Sequence, residues 1–113
     1  MPEGPVDASS LGCEQRKTLN QIELTARIAQ LSELRYTPAG LPALNLVLEH
    51  EGQQREAGSD RQVRLSIKAV VFGTLAEQAA RLDLSVPCRF KGFLASARTG
   101  KSVIFHIQEL NTL

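Results

Sequence analysis

The sequence predicts an all-β domain carrying one short helix. Apolar residues alternate with polar ones, at the period of a strand, in five separate runs. Only Thr74 to Leu82 has helical spacing, with Leu75, Ala79 and Leu82 recurring on one side. That segment falls between the third and fourth runs. Five strands with a helix between the third and fourth match a five-stranded Greek-key barrel of the OB type.

Each element follows from its own residues. Residues 1–18 mix Pro, Gly, Ser and charges without an apolar period and read as a disordered arm, leaving 19–113 as one OB domain. In the first strand Ile22, Leu24, Ala26 and Ile28 alternate. Leu31 and Leu34 then break the phase, which predicts a bulge near Ala29–Gln30. Pro38-Ala39-Gly40 is turn chemistry. Leu44, Leu46 and Leu48 mark a second strand ending at Glu49-His50. Glu51 to Asp60 holds no apolar residue larger than alanine and reads as a polar, mobile loop. Val63, Leu65, Ile67, Ala69 and Val71 give the third strand, which Gly73 ends. Thr74 and Glu77 have the spacing of a capping box at the helix start. Val86, Cys88, Phe90 and Gly92 form the fourth strand, with Pro87 near its start. Ala95 to Ser102 is a loop tipped by Arg98, Gly100 and Lys101, and Val103, Phe105 and Ile107 form the fifth strand. Phe72, Phe90 and Phe105 fall in the core phase, while Phe93 falls outside it.

Bulk properties narrow the function classes. The 113 residues suffice for one domain with a modest core. Hydrophobic residues make up 42% and charged residues 22%, ordinary for a soluble protein. No apolar run approaches the roughly 18 residues that span a bilayer, and no basic stretch precedes an apolar block, so the expected setting is cytoplasmic, off the membrane. Cys13 and Cys88 lack metal-ligand spacing, and no disulfide is expected between them. His50 and His106 are isolated from any nucleophile, and no HExxH, G-x-S-x-G, P-loop or C-x-x-C occurs. The expectation is a protein without catalysis, metal or cofactor.

Charge is uneven along the chain. Residues 1–61 carry six Arg/Lys against nine Asp/Glu, and residues 62–113 carry seven against three. OB barrels bind oligonucleotides on the face of strands two and three and on the loops joining strands one to two and four to five. Arg35 and Tyr36 fall in the first of those loops, and Arg98 and Lys101 in the second. Arg64 and Lys68 alternate with core residues on the third strand, and Arg89 and Lys91 do so on the fourth. Together they are candidates for a phosphate track, with Tyr36 offering a ring to a base. The same alternation also describes any solvated sheet face.

Order and spacing carry a resemblance. Arg35-Tyr36-x-Pro38-x-Gly40 before an alternating strand, Phe72-Gly73 leading into Leu75-Ala76-Glu77, and Lys91-Gly92-Phe93 resemble the bacterial single-stranded DNA-binding protein superfamily. Leu48-Glu49-His50 before a glutamate-rich segment, and His106 on the last strand, are most similar to its primosomal replication protein N (PriB) family. The resemblance covers Leu19 to Leu113. It implies a homodimer that binds single-stranded DNA and works with the PriA helicase in restarting stalled replication forks and reloading the replicative helicase. Two departures bear on the DNA contacts: Arg64 stands where the family carries an aromatic, and the loop of Arg98 and Lys101 is short. Ordinary single-stranded DNA-binding proteins of the superfamily append a long flexible linker and an acidic tip that recruits partners. Here the chain stops after the last strand, so recruitment is expected through the folded surface. The alternative is an OB-fold protein adaptor for which DNA is incidental.

Overall fold

The computed structural model describes residues 18–84 and 86–113. Residues 1–17 of the expected arm, Cys13 among them, lie outside the described residues. The elements are β1 (Ile22–Leu31), β2 (Arg35–Tyr36), β3 (Pro42–Glu56), β4 (Ser59–Phe72), α1 (Thr74–Ala80), β5 (Cys88–Ser96) and β6 (Val103–Thr112). The sheet order is β1-β5-β6-β4-β3-β2, and β1 also pairs with β3, which closes a barrel of five long strands. All pairings are antiparallel except β4 with β6, a parallel seam joining Ala69, Val70 and Val71 to Phe105, His106 and Ile107. This is the OB architecture, and α1 lies between the third and fourth long strands as the spacing predicts.

The alternating residues fill the barrel. Phe90, Phe105, Leu44 and Leu48 are wholly buried, and Ile28 and Val71 nearly so. Each such side chain contributes about 1.5–3 kcal/mol. β1 reaches both β5 and β3 because its register shifts between Ile28 and Gln30, where the broken phase predicts a bulge. The Asn20 side chain clasps β5 beyond the ladder, donating to the Leu94 carbonyl (2.7 Å) and accepting from the Leu94 amide (3.0 Å).

Cys88 is 1% exposed, a small apolar filler. Burial pushes its thiol above the ordinary value of 9.0. A raised folded-state pKa contributes stability below pH 9 that is lost as the pH climbs through the folded value. Melting temperatures compared at pH 8 and pH 10 should therefore fall more for the native chain than for Cys88→Ala.

Four expectations are corrected. The segment 51–60 is no loop: β3 and β4 pair continuously to Glu56↔Ser59. Ala57 and Gly58 both take positive φ, the pattern of a type I′ hairpin turn. Both faces of this ribbon meet solvent, so no apolar alternation advertises it. The backbone ladder holds it, and three exposed ion pairs across the ribbon add little: Arg55–Asp60 at 3.0 Å, Arg61–Glu56 at 3.1 Å and Arg64–Glu51 at 3.1 Å. His50 lies within β3 rather than at its end, and its Nδ1 donates to the Thr25 carbonyl (2.6 Å).

The second correction concerns the capping box. Gly73 occupies the cap position, Thr74 is already helical, and no side chain caps α1. Ala76 and Ala79 are the buried helix residues, with Leu75 and Leu82 packed more loosely on the core. Third, Phe72 is 40% exposed, because neighbouring Val71 takes the core side. Leu65, Val86 and Val103 are exposed for position rather than phase: Leu65 lies where the ribbon has left the barrel, and the other two lie at or beyond strand ends. Fourth, Arg35 and Tyr36 are not loop residues; they form β2 against Ala43 and Pro42.

Candidate functional site

The outer face of the sheet is set by the strand register. On β4 the residues facing away from the core are Arg64, Ser66, Lys68, Val70 and Phe72. Opposite them on β3 stand Glu51, Glu49, Val47, Asn45 and Ala43. His106 continues this face onto β6, and Phe93 onto β5. A groove of about 640 Å³ runs across it. Arg35 and Ser32 border it on the side of β1 and β2, and Arg98 on the side of the β5–β6 loop; Lys68 and Asn45 lie along it, with His106 beside them.

Local bonds hold this rim. The Ser32 amide donates to the Asn45 carbonyl (2.9 Å), and the Asn45 amide donates to Ser32 Oγ (3.0 Å). Those bonds pin the β1–β2 connection onto β3. Arg35 Nη2 then donates to Asn45 Oδ1 (3.2 Å), which lays the guanidinium against the groove. The opposite rim is a tight turn in which the Ala97 amide bonds the Ser102 carbonyl (2.8 Å) and the Gly100 amide bonds the Ala97 carbonyl (2.8 Å). Arg98 rides on that turn.

The groove is electrostatically one-sided. Arg35, Lys68 and Arg98 border it, and no carboxylate is among its lining residues. Among the described residues none of the three cations is ion-paired with a carboxylate. Three convergent cations without a counter-charge fit a polyanion.

The other predicted positions lie elsewhere. Tyr36 is 61% exposed beside Arg35, and Lys101 sits in the β5–β6 loop; neither lines the groove. Arg64 shares the face of Lys68 but lies out on the ribbon, paired with Glu51, in a second hollow with Arg27 and Glu49. Arg89 and Lys91 point outward in another sector of the barrel. Arg89 pairs with Glu23 (3.6 Å), and Lys91 stands in register between Glu23 and Glu109. Eight cationic or aromatic candidates thus resolve into a groove trio, two neighbours and three residues facing acids.

Asn45 and His106 are among the groove residues that escape the sequence reading. Asn45 interrupts Leu44 and Leu46, and His106 interrupts Phe105 and Ile107. A polar residue between two core residues marks the outer face, and that signal was available for both. Among the described residues no group of three or more His, Cys, Asp or Glu is placed to hold a metal ion, and no helix is long and apolar enough to cross a membrane.

Comparison with known proteins bears on what uses this face. A family model described as another single-strand binding protein family matches residues 20–109. The replication restart protein PriB of Bordetella pertussis is 45% identical over 80% of this chain and 86% of its own. That of Neisseria meningitidis serogroup B is 40% identical over 67% of this chain and 75% of its own. The solved structure of PriB from Ralstonia solanacearum superposes with a TM-score of 0.77 at 37% identity, covering 84% of this chain and 98% of that one.

Proposed function

Since the chain belongs to the PriB family of single-strand binding proteins, we propose that it binds single-stranded DNA along the groove of Arg35, Lys68 and Arg98. It does so as a cytoplasmic homodimer without catalysis. It serves the primosome with the PriA helicase, restarting stalled forks and reloading the replicative helicase. The observation that carries the DNA reading is the trio of cations around one groove with no lining carboxylate, on the face that OB barrels use for oligonucleotides. The partners and the dimer are supported by family membership.

Within this reading the trio holds phosphates, Tyr36 and Lys101 extend the track at either rim, and Arg64 contributes only when its bond to Glu51 opens. Arg89 and Lys91 contribute little, because Glu23 and Glu109 neutralise their sector. Binding of labelled oligo-dT should weaken with salt, the trio alone contributing about −2 to the log–log slope on a single strand. An affinity insensitive to salt between 50 and 300 mM would overturn it.

The ribbon favours a second reading, a protein-docking adaptor. Beyond Glu49 on β3 and before Ala69 on β4, neither strand has a further partner among the described residues. The arm therefore carries two free backbone edges and the exposed Leu65. On this reading PriA is captured by the chain after nuclease treatment and after all three groove cations are replaced. Capture lost on nuclease treatment counts against it.

A further inference from the structure

We propose that Phe93, His106 and Phe72 form the nucleobase-stacking platform of this chain, beginning where the cationic groove ends. The inference rests on the reading of that groove as a single-stranded DNA site.

Rings available for stacking are few. The chain has no Trp, one Tyr and four Phe. Phe90 and Phe105 are wholly buried, so only Tyr36, Phe72 and Phe93 among these reach the surface. Two of the three meet at His106. Phe93 and His106 face each other across the β5–β6 ladder, with ring centroids 4.8 Å apart and planes 11° from parallel. Phe72 stands on the other side, 6.2 Å from the His106 centroid and tilted by 32°. The row crosses three adjacent strands, β5, β6 and β4, on the outer face. Phe72, at its end, is 40% exposed.

His106 belongs to both features. It borders the groove that Arg35, Lys68 and Arg98 make positive, and it is the middle ring of the row. A strand whose phosphates lie along the cations therefore has its bases beside this row, in which Phe72 is the ring most open to solvent. Stacking of this kind tolerates any base, as a binder without sequence preference requires. A second copy is the other candidate occupant of an exposed aromatic row. Joining two copies through this patch would bring two cationic trios together, whereas a polyanion complements them.

The geometry is held from below. Gly92 is buried at the β5 bulge, where β5 presses onto the β6 backbone. A Cβ there would overlap the His106 carbonyl oxygen and lie 2.8 Å from its carbon. That close approach places the next residue, Phe93, against the His106 ring.

The test compares Phe72→Ala, Phe93→Ala and His106→Gln with Phe72→Tyr and Phe93→Tyr. Each is titrated with oligo-dT and with an abasic strand of equal length, at two salt concentrations. The Ala and Gln variants should bind oligo-dT about tenfold more weakly. Their salt slopes and their abasic affinities should stay at the native values, and the Tyr variants should bind normally. A 2-aminopurine oligomer should be quenched by the native chain and less by Phe72→Ala. Equal loss on both strands, or none on either, overturns the platform, as does sedimentation showing that Phe93→Ala simply dissociates a dimer. Failure of the native chain to bind either strand overturns the DNA reading itself.

Discussion

Replacing Gly92 with alanine should destabilise the barrel by about 3 kcal/mol, at the upper end of the cost of overpacking a filled core. Atoms in the way are backbone: the carbonyl group of His106 and, at 3.1 Å, the Cα of Ile107. Neither can rotate aside as a side-chain tip would. Relief requires β5 and β6 to separate at the point where their register already shifts between Lys91 and Gly92. Phe90 and Phe105, the two largest core side chains, stand on these strands. For a domain of this size the melting temperature should fall by roughly 15 °C. Urea denaturation should show a lower midpoint with an unchanged slope, since the surface exposed on unfolding is the same. A Gly92→Ala protein that melts within 2 °C of the native chain would show that the two strands have slack the geometry does not provide.

The second large effect concerns affinity. With Arg35, Lys68 and Arg98 all changed to alanine, three phosphate contacts are lost. The log–log salt slope for a single strand should shrink by about 2, and the affinity near 0.15 M salt should fall roughly 50-fold. Folding should be little altered, because surface substitutions of this kind cost within about 0.5 kcal/mol each. The paired change Arg89→Ala with Lys91→Ala removes two cations from the other sector, where carboxylates face them, and should leave the slope unaltered. A slope reduced equally by the pair would mean that charge number, and not the groove, governs binding.

The alternation of Leu44, Leu46 and Leu48, or of Ile67, Ala69 and Val71, is legible because a strand with one buried face must repeat every second residue. The bulge after Ile28 is legible for the same reason, as a break in that repeat. The outer part of the ribbon, residues 51–60, is not legible. Its faces are both wet, so hydrophobic phase carries no information there, and its pairing rests on backbone bonds. Thr74 misleads because cap spacing says nothing about where the preceding glycine turns the chain. In the site, phase identifies Lys68 and Arg89 equally as outward-facing. Only the pairing order separates them, since it decides which sector of a closed barrel each outward residue occupies. Long-range pairing of that kind leaves no local trace in sequence.

Closure of the barrel also has a kinetic consequence. Ile22 finds its ladder partner at Gly92, Asn20 bonds Leu94, and the seam of β4 waits for Phe105 to Ile107. During synthesis the β3–β4 ribbon can zip from its own two-residue turn, but β1 has half its partners only once most of the chain has been made. Folding in milliseconds to seconds, typical of domains dominated by such distant pairings, is therefore expected, with closure rather than ribbon formation as the slow event. Until then Ile28, Leu44 and Leu48 stay open to water. The interval between ribbon and barrel is when this chain is most exposed to aggregation.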